Sequence, residues 1–241
     1  KTNISEDFQV MCYFYDFNIK PEFEIIDTLS KFNYHGACIF YDPRKYSNKE
    51  IDESFNELQS RTDLKLYHGV YIKEANPQVM SKQVQHFYKK ADLIMVSGGD
   101  SKLNRAICEM PQVDIINHPY KNNKNSGINH VLANLLVENN ITVNINIMDI
   151  LNNHGFYRAK ILSQINQLIH LQKKFNFRMI LSSGSRSFYD VRSPNDMINL
   201  SSLMNMDEEF AKKALSCNMQ EVIDNIDVHK RSIVEGIQII D

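Results

Sequence analysis

The sequence predicts an α/β protein of the TIM-like (β/α) barrel type, with about seven parallel strands, surrounding helices and a helical C-terminal tail. Short apolar, β-branched or aromatic runs alternate with stretches of helical periodicity along the chain. The joints between them are short, and no Pro/Gly-rich linker or block of like charge divides the sequence. A length of 241 residues suits one barrel, so we predict a single domain over residues 1–241.

Seven runs have the composition of buried strands. They are Cys12–Phe17, Ala37–Tyr41, Lys65–Ile72, Leu93–Val96, Val113–Ile116, Thr142–Ile147 and Met179–Ser182. Helical stretches lie near 22–33, 48–61, 77–90, 100–109, 126–140 and 154–176. This alternation favours a parallel sheet that helices cover. Strand patterns stop after about residue 205, so we expect the tail 206–241 to be helical, either as an extension or as a degenerate last unit.

Three places carry clear signals for the start of a helix. Ser126 is predicted to be an N-cap before an apolar stripe of helical spacing. Ser193 suits an N-cap, Pro194 the first helical position, and Asp196 the third position of a capping box. The acidic run 207–209 is expected to open a helix of the tail, because acids are favourable at the positive end of the helix dipole.

Composition excludes several classes of protein. No apolar run approaches the roughly 20 residues that span a bilayer, and the first residues lack the apolar core of a signal peptide. We therefore expect a soluble, cytoplasmic protein without a membrane partner. The four cysteines form no CxxC pair, which predicts buried reduced thiols rather than a zinc site or a disulfide framework.

Charge is distributed unevenly along the chain. The formal net charge is −2, which argues against indiscriminate nucleic-acid binding. Residues 151–192 nevertheless hold seven Lys/Arg and one acid, whereas residues 193–241 hold four Lys/Arg and nine acids. Either solvated faces have segregated by chance, or one electropositive face is available to a polyanion.

Three predicted loops share a chemistry suited to anions. In a parallel barrel, functional residues gather on loops at the carboxyl ends of the strands. The loops are Ser97–Arg105 after the fourth strand, Asn117–Lys124 after the fifth and Ser183–Arg192 after the seventh. Gly and Ser allow backbone N–H groups to approach a phosphate, and Arg adds a bidentate donor. The capped helix after the third loop suggests a phosphate clamp with Arg186 and Arg192 as its jaws.

Motifs for catalysis are weak by comparison. No HxH or HExxH pair occurs, and the best remnant of a metal shell is Asp16, Asp100 and His118. Ser183 and Ser185 lie outside a GxSxG elbow and have no evident histidine partner. Neither a GxGxxG fingerprint nor a P-loop is present. A structural role is the more frequent explanation for each of these residues.

The ordered set of loops resembles the RNase P protein component 3 family, the archaeal relatives of the eukaryotic 30-kDa RNase P subunit. The resemblance extends from about residue 12 to 217. The residues that carry it are FYDFN (14–18), SGGD (97–100) with NR (104–105), VDIINHP (113–119), SGINHVLA (126–133) and SGSRSFYDVRSPND (183–196). Each block is short, but their order is specific.

The resemblance implies a barrel related to the metal-dependent PHP phosphoesterases, without their metal centre. It implies a protein subunit of ribonuclease P, the endoribonuclease that removes the 5′ leader of precursor tRNA. The RNA subunit would be the catalyst and would hold the Mg²⁺, so this chain would bind no cofactor or metal and contribute no catalytic residue. The implied partners are the RNase P RNA, a small RRM-like protein that is the Pop5 homologue, other RNase P proteins and the precursor tRNA.

We predict that the loops contact RNA phosphates, since basic side chains in this setting favour backbone contact over base-specific readout. The predicted RNA-binding residues are Lys102, Arg105, His118, Lys121, Lys124, Arg158, Arg186 and Arg192. Two rival hypotheses are a stand-alone PHP-like phosphoesterase that uses Asp16, Asp100 and His118, and a module that binds only proteins.

Overall fold

Seven parallel strands form one sheet, and their order in the sheet is their order in the chain. The computed structural model describes residues 13–234 and 237–238, with side chains for residues 13–226. The strands are β1 Tyr15–Ile19, β2 Gly36–Tyr41, β3 Lys65–Ile72, β4 Leu93–Ser97, β5 Ile115–Asn117, β6 Thr142–Asn146 and β7 Met179–Ser182. Their residues are almost all buried, as expected of strands that helices cover on one side and a barrel interior on the other. The predicted barrel of about seven parallel strands is confirmed.

Helices cover the outside of the sheet. They are α1 Phe23–Lys31, α2 Asn48–Ser60, α3 Pro77–Phe87, α4 Ser101–Cys108, α5 His130–Glu138, α6 Ile147–Leu151, α7 Gly155–Phe175, α8 Pro194–Ser201, α9 Glu208–Leu215 and α10 Cys217–Arg231. Short 3₁₀ turns span Phe188–Asp190 and Ser202–Met204. None of the helices in the described ranges is long and apolar enough to cross a bilayer.

The barrel has a seam between its first and last strands. β1 and β7 end the order of the sheet, and side chains bridge them. The buried carboxylate of Asp16 accepts hydrogen bonds from the N–H (2.8 Å) and the hydroxyl of Ser183. The N–H of Lys20 donates to the carbonyl of Ser185 at 3.2 Å. These contacts join the edge of β1 to the residues that follow the carboxyl end of β7.

The tail packs against the seam strands. α9 and α10 contact β7, and the hydroxyl of Tyr15 on β1 donates to Gln220 Oε1 on α10 at 2.5 Å. The prediction of a helical tail is confirmed for most of 206–231. It is wrong at 232–234 and 237–238, where Ser232–Val234 (β8) and Ile237–Gln238 (β9) pair antiparallel; residues 235–236 lie outside the described residues. Residues 239–241 lie outside the described residues, and the single domain stays a prediction.

Two of the three predicted helix starts are confirmed, and one is wrong. Ser193 caps α8 by accepting from the N–H of Asp196 (3.2 Å), with Pro194 at the first position, and Asp207 caps α9. Ser126 is not a cap, so that prediction is wrong. α5 begins at His130 and is capped by Asn129, because Ser126 instead donates its hydroxyl to the carbonyl of Ile128 at 2.8 Å.

The cysteines divide between two states. Cys38 and Cys108 are free and buried, as predicted, and burial raises the pKa of both thiols. Cys217 is disulfide-bonded, so the prediction of reduced thiols is wrong for it. Cys12, also predicted to be a reduced thiol and to begin the first strand, lies outside the described residues.

Candidate nucleic-acid interface

The loops after β4 and β5 are locked together by one buried side chain. Asn104 on α4 accepts from the N–H of Gly99 (2.9 Å) through Oδ1. Its Nδ2 donates to the carbonyls of Pro119 (2.7 Å) and Gly127 (3.0 Å). Since the N–H of Gly98 also donates to the Asn117 carbonyl at 2.6 Å, the glycine amides of this loop are already engaged. Our interpretation of Gly98 and Gly99 as phosphate-binding amides is therefore wrong.

The cations of α4 face solvent. Asp100 caps the helix by accepting from the N–H groups of Lys102 (3.0 Å) and Leu103 (2.9 Å), which fixes its first turn. Lys102 is exposed, and Arg105 pairs with Glu109 at 2.8 Å while 67% of its side chain stays exposed. An exposed pair of this kind contributes little to stability, so both cations remain available to an anion.

The loop after β5 presents lysines on a rigid support. His118 adopts a positive φ of 53°, and its Nδ1 pairs with the carboxylate of Asp149, which also accepts the hydroxyl of Tyr120. Two exposed lysines, Lys121 and Lys124, project from the loop that these contacts hold. His118 itself is 17% exposed and is a positioning residue for the loop in this geometry.

Arg158 has a structural task. Its Nε donates to the carbonyls of Ile150 (3.0 Å) and Asn153 (2.6 Å), and its Nη2 donates to the carbonyl of Leu151 (3.2 Å). The guanidinium thus caps the carbonyl end of α6 and orients the start of α7. Few of its donors remain for RNA.

The segment after β7 combines buried serines with an exposed cation. Ser183 and Ser185 are fully buried and hydrogen-bonded to each other (2.6 Å), and Ser183 also binds Asp16. They close the seam, so our interpretation of them as an anion-binding turn is wrong. Arg186 is exposed, and its N–H donates to Asp190 at 3.0 Å.

Arg192, the second arginine of the suggested phosphate clamp, is largely engaged in contacts within the fold. Arg192 is half-buried, and its Nη1 donates to the carbonyls of Tyr189 (2.8 Å) and Val191 (2.9 Å). The hydroxyl of Tyr34, which precedes β2, donates to the Arg192 carbonyl at 3.0 Å. Arg192 therefore lies beside the connection between α1 and β2, and the clamp stays a prediction.

The three residues of the rival metal shell have separate tasks. Asp16 closes the seam, Asp100 caps α4, and His118 pairs with Asp149. Among the described residues, no group of three or more His, Cys, Asp or Glu side chains could hold a metal ion. This arrangement contradicts the hypothesis of a metal-dependent phosphoesterase built on them.

Neutral side chains occupy the mouth of the barrel. Asn144 Nδ2 donates to Asn117 Oδ1 (3.2 Å), and Asn117 Nδ2 donates to the hydroxyl of Tyr71 (2.9 Å). Burial raises the pKa of Tyr71 to about 12, although hydrogen bonds with Ser97 and Asn117 oppose the change. The hydroxyl therefore stays protonated at neutral pH, and these three side chains are amides and a phenol rather than ionised ligands.

Sequence reasoning missed a cationic group after β2 and β3. Arg44 binds the Asp42 carboxylate through Nε (3.0 Å) and Nη2 (2.9 Å), and these hydrogen bonds lower the pKa of Asp42. Lys73 Nζ lies 4.4 Å from the centre of the Tyr71 ring. Burial lowers the pKa of Lys73, and the charge of Arg186 lowers it further, which places the loop after β7 near the loops after β2 and β3. Arg44 and Lys73 both follow predicted strands, so a search for cations on the loops after strands would have found them.

Comparison with known proteins identifies the family. The chain matches the family RNase P subunit p30 over residues 13–231. It is 32% identical over 238 residues to ribonuclease P protein component 3 of Methanothermobacter thermautotrophicus, covering 96% of this chain and 97% of that protein. The corresponding protein of Methanococcus maripaludis is 30% identical over 217 residues, covering 90% and 93%.

Solved structures agree with this assignment. A chain in the cryo-EM structure of archaeal ribonuclease P with mature tRNA superposes with a TM-score of 0.82 and 29% identity, covering 94% of this chain and 98% of that one. A candidate histidinol phosphatase from Listeria monocytogenes shares the fold alone, with a TM-score of 0.51 and 8% identity over 73% and 97% of the two chains. This chain belongs to the RNase P subunit p30 family.

Proposed function

We propose that this chain is a protein subunit of ribonuclease P and supports the catalytic RNA in removing the 5′ leader from precursor tRNA. The observation that carries the proposal is the similarity to a chain of archaeal ribonuclease P over 94% of the sequence, with a TM-score of 0.82. The partners in this proposal are the RNase P RNA, the small RRM-like Pop5 homologue, other RNase P proteins and, for the assembled enzyme, the precursor tRNA.

The site geometry supports a scaffold rather than a catalyst. Asp16 binds Ser183 at the seam, Asp100 caps α4, and His118 pairs with Asp149 and holds the loop after β5. These side chains are therefore already engaged in structural contacts. The exposed cations on the loops and on α4 would neutralise phosphates that otherwise repel each other as the RNA folds. The chain itself supplies no cofactor in this proposal, and Mg²⁺ belongs to the RNA.

Reconstitution tests the proposal. The chain is added to RNase P RNA with and without the Pop5 homologue, and the cleavage of precursor tRNA is measured. We expect cleavage to require or to be strongly stimulated by the chain. Nuclease activity of the purified chain alone, after removal of RNA, would contradict the scaffold role.

Single substitutions then test the predicted contacts. Arg105→Ala and Arg186→Ala are expected to lower cleavage while leaving the melting temperature nearly unchanged. Lys31→Ala is a matched control, because Lys31 is 70% exposed and also forms an i,i+4 ion pair, with Asp27 at 2.6 Å, but lies at the far end of α1. Equal effects of the control and the loop variants would refute the assignment of these contacts.

A further inference from the structure

Two adjacent aromatic rings at the start of α7 are left in solvent. Phe156 is 78% exposed and Tyr157 is 70% exposed, and with Tyr189 they are the most exposed large apolar side chains in the described part of the chain. Burial of such rings is favourable, so a fold that leaves two neighbours in water gains nothing from them in the free state. Their exposure points to a ligand.

The rings stand on a rigid support. The guanidinium of Arg158, the next residue, binds the carbonyls that end α6, so the first turn of α7 is fixed to the element before it. The ring centroids of Phe156 and Tyr157 lie 6.1 Å apart at an angle of 74°. Because the backbone that carries the rings is already ordered, binding of a flat ligand costs little further backbone entropy.

The loop after β5, which carries Lys121 and Lys124, packs against α7. The buried amide of Gln164 donates to the carbonyls of Tyr120 (3.3 Å), Asn123 (2.9 Å) and Asn125 (2.9 Å). Tyr157 precedes Gln164 by seven residues, which is two helical turns, so both lie on one face and roughly 10 Å apart along the axis. Tyr157 therefore lies on the face of α7 that packs against the loop carrying Lys121 and Lys124, two helical turns from the contact that Gln164 makes.

We propose that Phe156 and Tyr157 stack on unpaired bases of RNA while Lys121 and Lys124 bind the adjoining phosphates. The inference rests on the proposed function and adds a class of RNA to it: single-stranded segments, not only paired backbone. Stacking on aromatic rings beside a cationic groove is how proteins hold single strands with little dependence on sequence.

The surroundings favour RNA over a protein as the ligand. Close to the rings along the chain, the exposed side chains of Asn152, His154 and Lys160 are polar or basic, and residues 151–192 hold seven Lys/Arg and one acid. The core of a protein–protein interface is depleted in charged residues and presents contiguous apolar surface. Polar and basic residues beside two flat rings match a polyanion that carries bases.

The chain contains no tryptophan, which permits a direct test. In Tyr157→Trp, the indole is the sole tryptophan and can still stack, so RNA should quench its fluorescence and affinity should be retained. Val137→Trp is the matched control, since Val137 is 50% exposed near the end of α5, at the opposite end of the barrel. The probes are RNase P RNA, a short single-stranded RNA and a duplex of equal charge.

The expected results separate stacking from other roles. Tyr157→Ala should weaken binding of the single strand by roughly 5- to 150-fold, the loss that corresponds to one base stack, and should affect the duplex far less. Unchanged affinity of Tyr157→Ala and of Phe156→Ala, together with unquenched indole fluorescence of the Tyr157→Trp variant, would overturn the proposal. So would variants that bind RNA normally but lose the Pop5 homologue, because the rings would then contact a protein. If the unmodified chain neither binds RNase P RNA nor supports cleavage, the proposed function itself fails.

Discussion

Replacing Asp16 by asparagine should stabilise the protein at neutral pH and leave it unchanged in acid. Asp16 is completely buried at the seam, and burial raises its pKa from 3.8 to about 6 despite hydrogen bonds from Ser183 and Phe17. Asparagine has the same shape. Its carbonyl can accept from the Ser183 N–H, and its amide can donate to the Ser183 hydroxyl, which can still bond to Ser185.

The magnitude follows from the two pKa values. A folded-state pKa above the unfolded value means that the folded protein binds the proton more tightly, so stability falls as pH rises from about 3.8 to about 6. The difference between the two pKa values corresponds to about 3 kcal/mol. The buried ionised carboxylate lowers the free energy of unfolding by this amount above pH 6, and the loss disappears below pH 3.8. Asp16→Asn removes this cost. Its advantage over the unmodified protein should therefore grow from near zero at about pH 4 to about 3 kcal/mol at about pH 8.

Denaturant unfolding of both proteins at several pH values measures this difference. Other carboxyl groups titrate in the same range, but they cancel when the two free energies of unfolding are subtracted at each pH. A difference that does not change between about pH 4 and about pH 8, or a variant whose stability falls relative to the unmodified protein as pH rises, would refute the reasoning. Either result would mean that the hydrogen bonds at the seam stabilise the ionised carboxylate at least as much as burial destabilises it.

Three further predictions concern the loops. Arg158→Ala should lower the free energy of unfolding by about 2 kcal/mol in a thermal melt, because three carbonyl groups lose a charged donor. Gly127→Ala should lower the free energy of unfolding by at least about 2 kcal/mol, since Gly127 has a φ of 76° and a Cβ there would meet the Pro119 carbonyl oxygen at 1.8 Å. Gly155→Ala, with a φ of 53° and open space around the new Cβ, should lower it only by the cost of the backbone strain. Lys121→Ala should reduce the slope of log affinity against log salt for RNA by about 0.7 to 0.9, and an unchanged slope would show that Lys121 contacts no phosphate.

The fold was predictable because it depends on local periodicity. Seven buried runs separated by helical stretches leave little choice except a parallel sheet covered by helices. The errors fall where tertiary contacts decide. Ser126 and Asn129 are both acceptable N-caps, and tertiary contacts decide between them, since Asn104 and Gln164 bind the carbonyls of Gly127 and Asn125 and hold the chain outside the helix up to Asn129.

The candidate site was predictable in part for the same reason. Exposed cations that follow strands, such as Lys102 and Lys121, can be found from the order of the strands and helices in the sequence. The task of Ser183 cannot be found in this way, because its partner Asp16 lies 167 residues away and the pair exists only when β7 returns to β1. Loop serines with a long-range acceptor look the same in sequence as loop serines that bind a ligand.

A net charge of −2 is compatible with RNA binding because the acids are segregated. In α9, Glu208 and Glu209 pair with Lys212 (2.6 Å) and Lys213 (3.0 Å), so the acidic start of the tail is largely neutralised within one helix. At physiological salt a charge acts over about 8 Å, which is much less than the width of a barrel. α10 contacts the amino end of β7 through Asn218 and the Met179 carbonyl (2.7 Å), so its described acids repel a polyanion at the loops on the carboxyl ends of the strands only weakly. The local excess of cations, and not the sum over the chain, sets the attraction that the loops exert on RNA.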